Sequence, residues 1–318
     1  MFIQLRNVII LIITTAVLTA CSNSSDNNND TADDSFQLQG CADTGTCASN
    51  PPLTLGGERP AMVQIPSNYD INTRYPLVMV LHGRGVDGYI QAVYLGLFDR
   101  IDSKQFILIY PDGTFVYDGR RQWRVVPTCC DTPPDEAAAL SDVSYLTGLI
   151  EEAAATYSID TTRIGLIGHS SGGFMSLTMT CEASHLVTAI VNLAGSTFVD
   201  FDNCRPATER VSVLTVHGTA DDTVPYNGLD GVYLSAPAVA DRYAMLAGCD
   251  TNNPIARTDF DLVASIDGAE TSRVTWPDCL AGTEVEFWTM NDGPHIPVPW
   301  VPQGLDAFVD WLLEHPRQ

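Results

Sequence analysis

The fold of this chain is decided by residues 163–173, RIGLIGHSSGG. The apolar run Arg163–Ile167 predicts a buried strand, and a helical pattern begins at Gly172. Between them lies a Gly-x-Ser-x-Gly pattern whose small residues let the chain bend sharply around Ser170. The bend projects the hydroxyl from the carboxyl edge of a sheet, and the N–H groups of the new helix face it. We therefore predict that Ser170 is a nucleophile, the alternative being a plain glycine-rich turn.

From about Pro51 onward, short β-rich runs alternate with helical patterns, which is typical of crossover units around a mostly parallel sheet. Helices are predicted to begin at Asp142, which we expect to cap the first of them, and at Gly172, and a last helix runs from about Leu305 to Glu314. Buried strands are predicted at Tyr75–Leu81, Phe106–Tyr110, Arg163–Ile167, Ala189–Leu193, Val211–Val216 and Val285–Met290. The pattern predicts an α/β fold with a doubly wound, mostly parallel sheet in a single domain, residues 51–318.

A serine hydroxyl needs a base, and the base needs an orienting carboxylate; in this architecture both follow the serine along the chain. Of the six histidines, His295 is the one placed after the last predicted strand and before the last helix, so we predict that it is the base. Asp221 and Asp222 follow the strand that ends at Val216. We predict that Asp221 is the acid, with Asp222 as the alternative and a turn aspartate as the structural interpretation of either.

The segment Leu81-His82-Gly83-Arg84-Gly85 follows the first central strand, where this architecture places an oxyanion donor. We expect the backbone N–H of Arg84 to act together with that of Ser171. Each such donor contributes about 3 kcal/mol of transition-state stabilisation in comparable sites. The alternative is a glycine-rich loop with a core-facing histidine.

The N-terminus has the layout of a secretory signal, residues 1–20, with Arg6 before the apolar run Val8–Leu18. Leu18-Thr19-Ala20-Cys21 resembles the bacterial lipobox, which predicts lipid attachment at Cys21 and a membrane contact through the lipid anchor only. The alternative is an ordinary cleaved signal. Residues 21–50 are polar and acidic and predict a flexible tether. We expect an exported protein at the bacterial outer membrane or cell surface, or in the extracellular space.

Acidic residues outnumber basic ones by 39 to 16, and the formal charge of −23 makes nucleic acids and anionic lipid surfaces poor partners. A neutral or cationic substrate is favoured, although acidity that serves only solubility is the alternative. We expect no metal, no cofactor and a monomer.

Nine cysteines are present, and eight remain after Cys21, an even number that favours disulfides in an exported chain. A zinc site is not indicated, because neither Cys41 and Cys47 nor the adjacent Cys129 and Cys130 have the required spacing with histidines nearby.

The chain resembles the polyhydroxybutyrate depolymerase and feruloyl esterase family over about residues 51–316. The resemblance is carried by five motifs in order: His82-Gly83-Arg84-Gly85, Cys129-Cys130 followed by Asp142-Val143, residues 168–173 (GHSSGG), residues 217–226 (HGTADDTVPY) and Gly293-Pro294-His295. It implies an α/β-hydrolase core without a cofactor, and Ser170, Asp221 and His295 fall on the family's triad. The family often ends in Gly-Gly-His-x-Trp-Pro, whereas this chain has Asp292-Gly293-Pro294-His295-Ile296-Pro297.

The resemblance also implies two disulfides, Cys249 with Cys279 and Cys181 with Cys204. Adjacent cysteines seldom bond to each other, so we expect Cys129 and Cys130 to pair with Cys41 and Cys47.

The resulting hypothesis is a serine carboxylic ester hydrolase that acts through an acyl-enzyme. The resemblance implies polyhydroxyalkanoate oligomers or feruloyl and acetyl esters of polysaccharide as substrates, and the chain has no spare residues for a polymer-binding module. One alternative is a serine peptidase of the same fold, which usually carries a large gating domain. The other is a non-catalytic lipoprotein scaffold, which would be marked by loss of a triad residue.

Overall fold

In the computed structural model, which describes residues 38–125, 142–197, 199 and 209–318, the chain is organised around a ten-stranded sheet. All the described residues belong to one compact unit, Phe36–Gln318. The strands are β1 (Thr54–Leu55), β2 (Ala61–Gln64), β3 (Tyr75–Leu81), β4 (Ile107–Tyr110), β5 (Phe115–Tyr117), β6 (Arg120–Gln122), β7 (Ile159–His169), β8 (Ala189–Leu193), β9 (Ser212–Gly218), β10 (Ile255–Phe260), β11 (Thr271–Trp276) and β12 (Val285–Met290). The helices are α1 (Cys41–Thr44), α2 (Gly88–Tyr94), α3 (Ile101–Lys104), α4 (Val143–Thr156), α5 (Ser171–Glu182), α6 (Ala236–Ala247) and α7 (Pro302–Glu314), with 3₁₀ turns at Phe98–Arg100 and Leu280–Gly282.

The strand order in the large sheet is β1-β2-β4-β3-β7-β8-β9-β12-β11-β10. The six strands from β4 to β12 in this order are parallel, and an antiparallel pair of strands extends the sheet at each edge. Strands β5 and β6 form a separate antiparallel hairpin. Because the carboxyl ends of parallel strands lie at one edge of a sheet, the loops after β3, β7, β9 and β12 lie on the same side of the molecule.

Both faces of the parallel sheet are buried, as β3 illustrates. Leu77, Met79 and Leu81 face one hydrophobic core, and Val78 and Val80 face the other, which is the two-residue alternation of a strand. Helices α4, α5 and α6 cover the first core, and α2, α3 and α7 cover the second. A strand buried on both faces is apolar along its whole length, which is why the central strands could be located as continuous apolar runs.

The doubly wound, mostly parallel sheet predicted from the sequence is confirmed, and all six predicted strands are present. Helix α6 and strands β10 and β11 were not predicted. Five of the six residues of β10 are exposed, so this strand has no apolar run to reveal it.

Asp142 precedes α4, but its side chain makes no capping hydrogen bond, so the predicted capping role is wrong. Its carboxylate accepts hydrogen bonds from Arg59 Nη1 at 2.5 Å and from the backbone N–H of Arg124 at 2.7 Å. The carboxylate is buried, and a guanidinium is a stronger partner for a buried anion than the first turn of a helix.

The expected pairing of Cys41 and Cys47 with Cys129 and Cys130 is also wrong, because Cys41 and Cys47 are bonded to each other across a Cα–Cα distance of 4.7 Å. The one-turn helix α1 ends at Gly45 in the left-handed region, φ 69°, and this reversal brings Cys47 back to Cys41. Positions 129 and 130 lie outside the described residues.

The expected bond between Cys249 and Cys279 is present, and Cys181 is disulfide-bonded. Its expected partner Cys204 lies outside the described residues, as do the signal segment and Cys21.

The end of the predicted tether differs from expectation. Residues 38–50 include α1 and belong to the compact unit, with Cys41 buried and the N–H of Ala48 donating to the carbonyl of Thr156 at 3.1 Å. Residues 21–37 lie outside the described residues. In the part of the chain that the structure describes, no helix combines the length and apolarity needed to cross a membrane.

Candidate active site

Ser170 lies at the junction of β7 and α5, where its backbone adopts φ 55° and ψ −120°. A positive φ is strained for any residue with a Cβ and persists only where the surroundings enforce it. Here the N–H of Ser170 donates to the carbonyl of Leu193 on β8 at 2.8 Å, and its carbonyl accepts from the N–H of Phe174 at 3.1 Å. The predicted strand–turn–helix is therefore present, with the serine at its strained centre.

The glycines on either side of Ser170 permit a close approach of backbone segments. A Cβ on Gly168 would lie 2.0 Å from the carbonyl oxygen of Gly172, and a Cβ on Gly172 would lie 2.0 Å from that of Leu81 on β3. Any side chain at either position would displace the turn from the neighbouring strand. The Gly-x-Ser-x-Gly pattern thus reflects packing of the elbow against the central sheet.

Asp221 and His295 form a buried hydrogen-bonded pair, with 2.7 Å between Asp221 Oδ2 and His295 Nδ1. Asp221 follows β9, and His295 follows β12. These two strands are parallel neighbours whose last residues, Gly218 and Met290, are in register. Because Nδ1 donates its proton to the carboxylate, Nε2 of the neutral imidazole is unprotonated and can act as a base.

The Asp221 carboxylate is embedded in hydrogen-bond donors. Its Oδ1 accepts from the backbone N–H groups of Thr223 and Val224 at 2.9 and 2.8 Å. Burial by itself would raise the pKa of Asp221, but hydrogen bonds from His217 and His295 outweigh burial and hold this pKa below its usual value. The group is therefore ionised at neutral pH, as an orienting carboxylate must be.

Asp222, the alternative acid, is exposed, and its carboxylate accepts a hydrogen bond from the hydroxyl of Thr223 at 3.2 Å. The geometry therefore favours Asp221.

His169 connects the elbow at Ser170 to the loop that carries His295. Its Nε2–H donates to the carbonyl oxygen of His295 at 2.8 Å, and the two imidazole rings are 4.9 Å apart. Burial, together with the charge of a protonated His295, lowers the pKa of His169 to about 4, so it stays neutral and keeps this donor. Since His169 immediately precedes Ser170, the contact ties the loop that carries His295 to the elbow.

The loop after β3 lies against the elbow, since a Cβ on Gly83 would be 3.5 Å from Cβ of Ser170. His82 is buried beneath it; its Nδ1–H donates to the carbonyl of Gly83 at 2.8 Å, and its Nε2 accepts from the N–H of Gly113 at 2.9 Å. Burial lowers the pKa of His82, which keeps the neutral form that this pattern requires. The two interpretations of this segment are therefore compatible, because the core-facing His82 supports the loop that carries the candidate oxyanion donor.

Further bonds set the path of the same loop on both sides of Arg84. The N–H of Gly83 donates to Oε1 of Gln91 at 3.1 Å, and the N–H of Gly85 donates to the carbonyl of Arg121 at 2.8 Å. Ser171 is the first residue of α5, and the first N–H groups of a helix have no partner within the helix. These positions are compatible with the predicted donors, and the assignment of Arg84 and Ser171 remains a prediction.

A cleft of about 650 Å³ opens beside the segment that follows His295. Its lining includes Val93, Tyr94, Val298 and Trp300. The ring of Tyr94 lies 5.6 Å from that of His169 and 5.7 Å from that of Trp300, so one wall of the cleft packs against the residue before Ser170. Ser170, Asp221 and His295 are not among the lining residues. Val298 is 51% exposed and provides an apolar rim.

Sequence reasoning did not assign roles to His169, His217 or Gln91, although each contacts a predicted site residue or its loop. The motif positions of His169 and His217 were visible, but their partners are distant along the chain.

Among the described residues, no group of three or more His, Cys, Asp or Glu side chains is arranged to hold a metal ion.

Residues 69–231, just over half of the 318-residue chain, match the family described as phospholipase/carboxylesterase. Three relatives resemble the chain at low identity. The putative esterase NocK of Nocardia uniformis subsp. tsuyamanensis is 26% identical over 69% of this chain and 64% of its own length. Feruloyl esterase D of Neurospora crassa is 24% identical over 85% of this chain and 86% of its own. The bifunctional acetylxylan esterase/xylanase XynS20E of Neocallimastix patriciarum is 24% identical over 82% of this chain and 34% of its own.

The chain thus spans less than two thirds of the length of NocK and of XynS20E. Among solved structures, the acetyl xylan esterase from Aspergillus awamori is similar with a TM-score of 0.60 at 14% identity, covering 80% of this chain and 93% of that one. Esterase PE8 is similar with a TM-score of 0.51 at 18% identity, covering 80% of this chain and 99% of that one. At these identities the likeness concerns the fold.

Proposed function

The chain belongs to the phospholipase/carboxylesterase family, and we propose that it hydrolyses carboxylic esters through an acyl-enzyme formed on Ser170. The α/β-hydrolase fold and the esterase family expected from the sequence are confirmed by the family match and the structural likeness. The observation that carries the proposal is the 2.7 Å hydrogen bond between His295 and Asp221. The carbonyl of His295 is in turn bonded to His169, the residue before Ser170 in the strained elbow.

In the first half-reaction, the Ser170 hydroxyl attacks the ester carbonyl while Nε2 of His295 takes its proton. Asp221 holds the imidazole in the tautomer whose Nε2 is unprotonated and stabilises the imidazolium that forms. The oxyanion accepts hydrogen bonds from the N–H groups of Arg84 and Ser171. His295 then returns the proton to the leaving alcohol, and the acyl group stays on Ser170.

In the second half-reaction, His295 takes a proton from water, and the resulting nucleophile attacks the acyl-enzyme. The tetrahedral intermediate collapses with transfer of the proton from His295 to Ser170, which releases the carboxylic acid. The same donors and the same base therefore serve both halves.

The proposed substrates are feruloyl or acetyl esters of polysaccharide, or polyhydroxyalkanoate oligomers. Two relatives that match most of this chain carry the names feruloyl esterase and bifunctional acetylxylan esterase/xylanase. The formal charge of −23 favours uncharged ester substrates over anionic ones.

The proposed location is outside the cytoplasm, with Cys21 as a lipid anchor. Disulfides persist in oxidising compartments, and the bonds at Cys41–Cys47 and Cys249–Cys279 support export. Labelling with a radioactive fatty acid should mark the wild-type chain and not a Cys21→Ser variant, and equal labelling of both would contradict the anchor.

The activity is tested by comparing the wild type with Ser170→Ala on p-nitrophenyl acetate. We expect kcat to fall by roughly 10⁴-fold or more, because only binding and oxyanion stabilisation remain without the nucleophile. Ser67→Ala, at an exposed serine after β2, is the matched control and should behave as the wild type. Equal activity of Ser170→Ala and the wild type would contradict the proposal.

The substrate class is tested with methyl ferulate, acetylated xylan and hydroxybutyrate oligomers in one assay. The substrate with the highest kcat/KM identifies the ester. Absence of Ser170-dependent hydrolysis of all three would overturn the substrate assignment.

A further inference from the structure

A third histidine contacts the acid of the candidate triad. His217 lies on β9, is 1% exposed, and places Nε2 2.8 Å from the carbonyl oxygen of Val224 and 3.2 Å from Oδ2 of Asp221. A carbonyl oxygen only accepts hydrogen bonds, so Nε2 of His217 carries a proton. That single N–H is shared between the carbonyl and the carboxylate.

The contact falls on the catalytically important oxygen of Asp221. Oδ1 is held by the two backbone N–H groups of Thr223 and Val224, whereas Oδ2 receives Nδ1–H of His295 and Nε2–H of His217. A carboxylate has about four lone-pair directions, and all four are occupied here. Without His217, the only donor to Oδ2 in this set would be Nδ1–H of His295, the group that Oδ2 orients.

The turn that carries Asp221 has other supports. The N–H of Thr219 donates to the carbonyl of Met290 at 2.9 Å, and the N–H of Ala220 donates to that of Gly293 at 3.0 Å. These bonds join the loop after β9 to the loop after β12 without any contribution from His217. What His217 adds beyond them is a donor to Oδ2.

We propose that His217 is a positioning residue that donates to Oδ2 of Asp221 and holds this oxygen in line with Nδ1–H of His295. The inference rests on the proposed function, since the alignment of Asp221 matters only if His295 is the base. His217 does not contact the reacting atoms and acts through the carboxylate. Its loss should therefore lower kcat and leave KM nearly unchanged.

The test compares two amides at this position, His217→Gln and His217→Asn. Both are polar and smaller than or similar in size to histidine, but only glutamine is long enough to place an N–H near the position of Nε2. We expect kcat for p-nitrophenyl acetate to fall about 10- to 100-fold in His217→Asn, because small misplacements of catalytic groups cost up to about 10²-fold. His217→Gln should recover most of that loss, and KM should stay within about twofold of the wild-type value in both.

Two controls separate positioning from folding. Circular dichroism melting shows whether each variant is folded, and His315→Gln removes a remote histidine that bonds to Glu284 Oε2 at 3.0 Å and should leave kcat unchanged. His217→Leu, which has no donor, should be at least as slow as His217→Asn.

The outcomes distinguish this inference from the proposed function. If the wild type shows no Ser170-dependent hydrolysis, the proposed function fails and the inference falls with it. If the wild type is active and folded His217→Asn keeps the wild-type kcat, only the role of His217 is overturned. The same conclusion follows if folded His217→Gln and His217→Asn are equally slow, because the donor then makes no difference.

Discussion

The elbow at Ser170 and the pair formed by Asp221 and His295 lie at the same edge of the sheet but are built in different ways. The elbow is local: Gly168, Ser170 and Gly172 are consecutive parts of one strand–turn–helix unit, and their close approaches are to each other and to β3. Asp221 and His295 are 74 residues apart and meet because β9 and β12 are parallel neighbours. A local motif can be recognised from spacing alone, whereas a pair formed by strand pairing needs the topology.

The comparison is tested most strongly at Asp221. Asp221→Asn should lower kcat by roughly 10⁴-fold, because an amide cannot stabilise the imidazolium and favours the wrong tautomer of His295. Asp222→Asn is the matched control, since its side chain is exposed, and it should leave kcat unchanged. Steady-state kinetics of both variants decides the matter, and a larger loss in Asp222→Asn would transfer the role to that residue.

The local side of the comparison is tested at Gly172. A methyl group in Gly172→Ala would lie 2.0 Å from the carbonyl oxygen of Leu81, so we expect a loss of about 3 kcal/mol in the free energy of unfolding. Gly148→Ala on α4 is the control, because a Cβ there meets nothing within 4 Å and alanine favours a helix by up to about 1 kcal/mol. Urea denaturation measures both, and equal stability of Gly172→Ala and the wild type would contradict the close packing.

The buried acid also predicts how stability depends on pH. The folded pKa of Asp221 lies below the value of about 3.9 expected in the unfolded chain, so the ionised carboxylate stabilises the fold above pH of about 4. This contribution should be lost as the pH falls through the folded pKa. The unfolding free-energy difference between the wild type and Asp221→Asn, measured by urea denaturation at a series of pH values, should therefore shrink in acid.

His169 joins the two regions, and its contribution should be smaller. His169→Phe keeps the ring that packs near Tyr94 but removes the Nε2–H that donates to the carbonyl of His295. We expect kcat to fall about tenfold, equivalent to about 1.4 kcal/mol, because the base is less firmly placed. His169→Gln, which keeps a donor, should recover part of the loss. An unchanged kcat in folded His169→Phe would mean that the elbow and the loop of the base are held together by other contacts.

Much of the fold could be predicted because the central strands are buried on both faces. Tyr75–Leu81, Ala189–Leu193 and Val285–Met290 have the predicted bounds. Strand β10 was missed because it lies at an exposed edge, where burial imposes no apolar pattern.

The two errors have different physical causes. Asp142 does not cap α4, because its carboxylate is bonded instead to Arg59, which is 83 residues away along the chain. Cys41 and Cys47 bond to each other because a local turn at Gly45 reverses the chain between them. The first error missed a contact between distant residues, and the second missed a local turn.

By itself the sequence determined the order of the six central strands, the strained serine turn and the identity of the candidate nucleophile, because burial patterns and small residues around a turn are written into neighbouring positions. Only the tertiary structure decided that Asp221 rather than Asp222 meets His295, that His217 contacts Asp221 and that His169 contacts His295. The reason is that hydrogen bonds between residues on separate strands depend on register and loop path, which emerge when the sheet assembles.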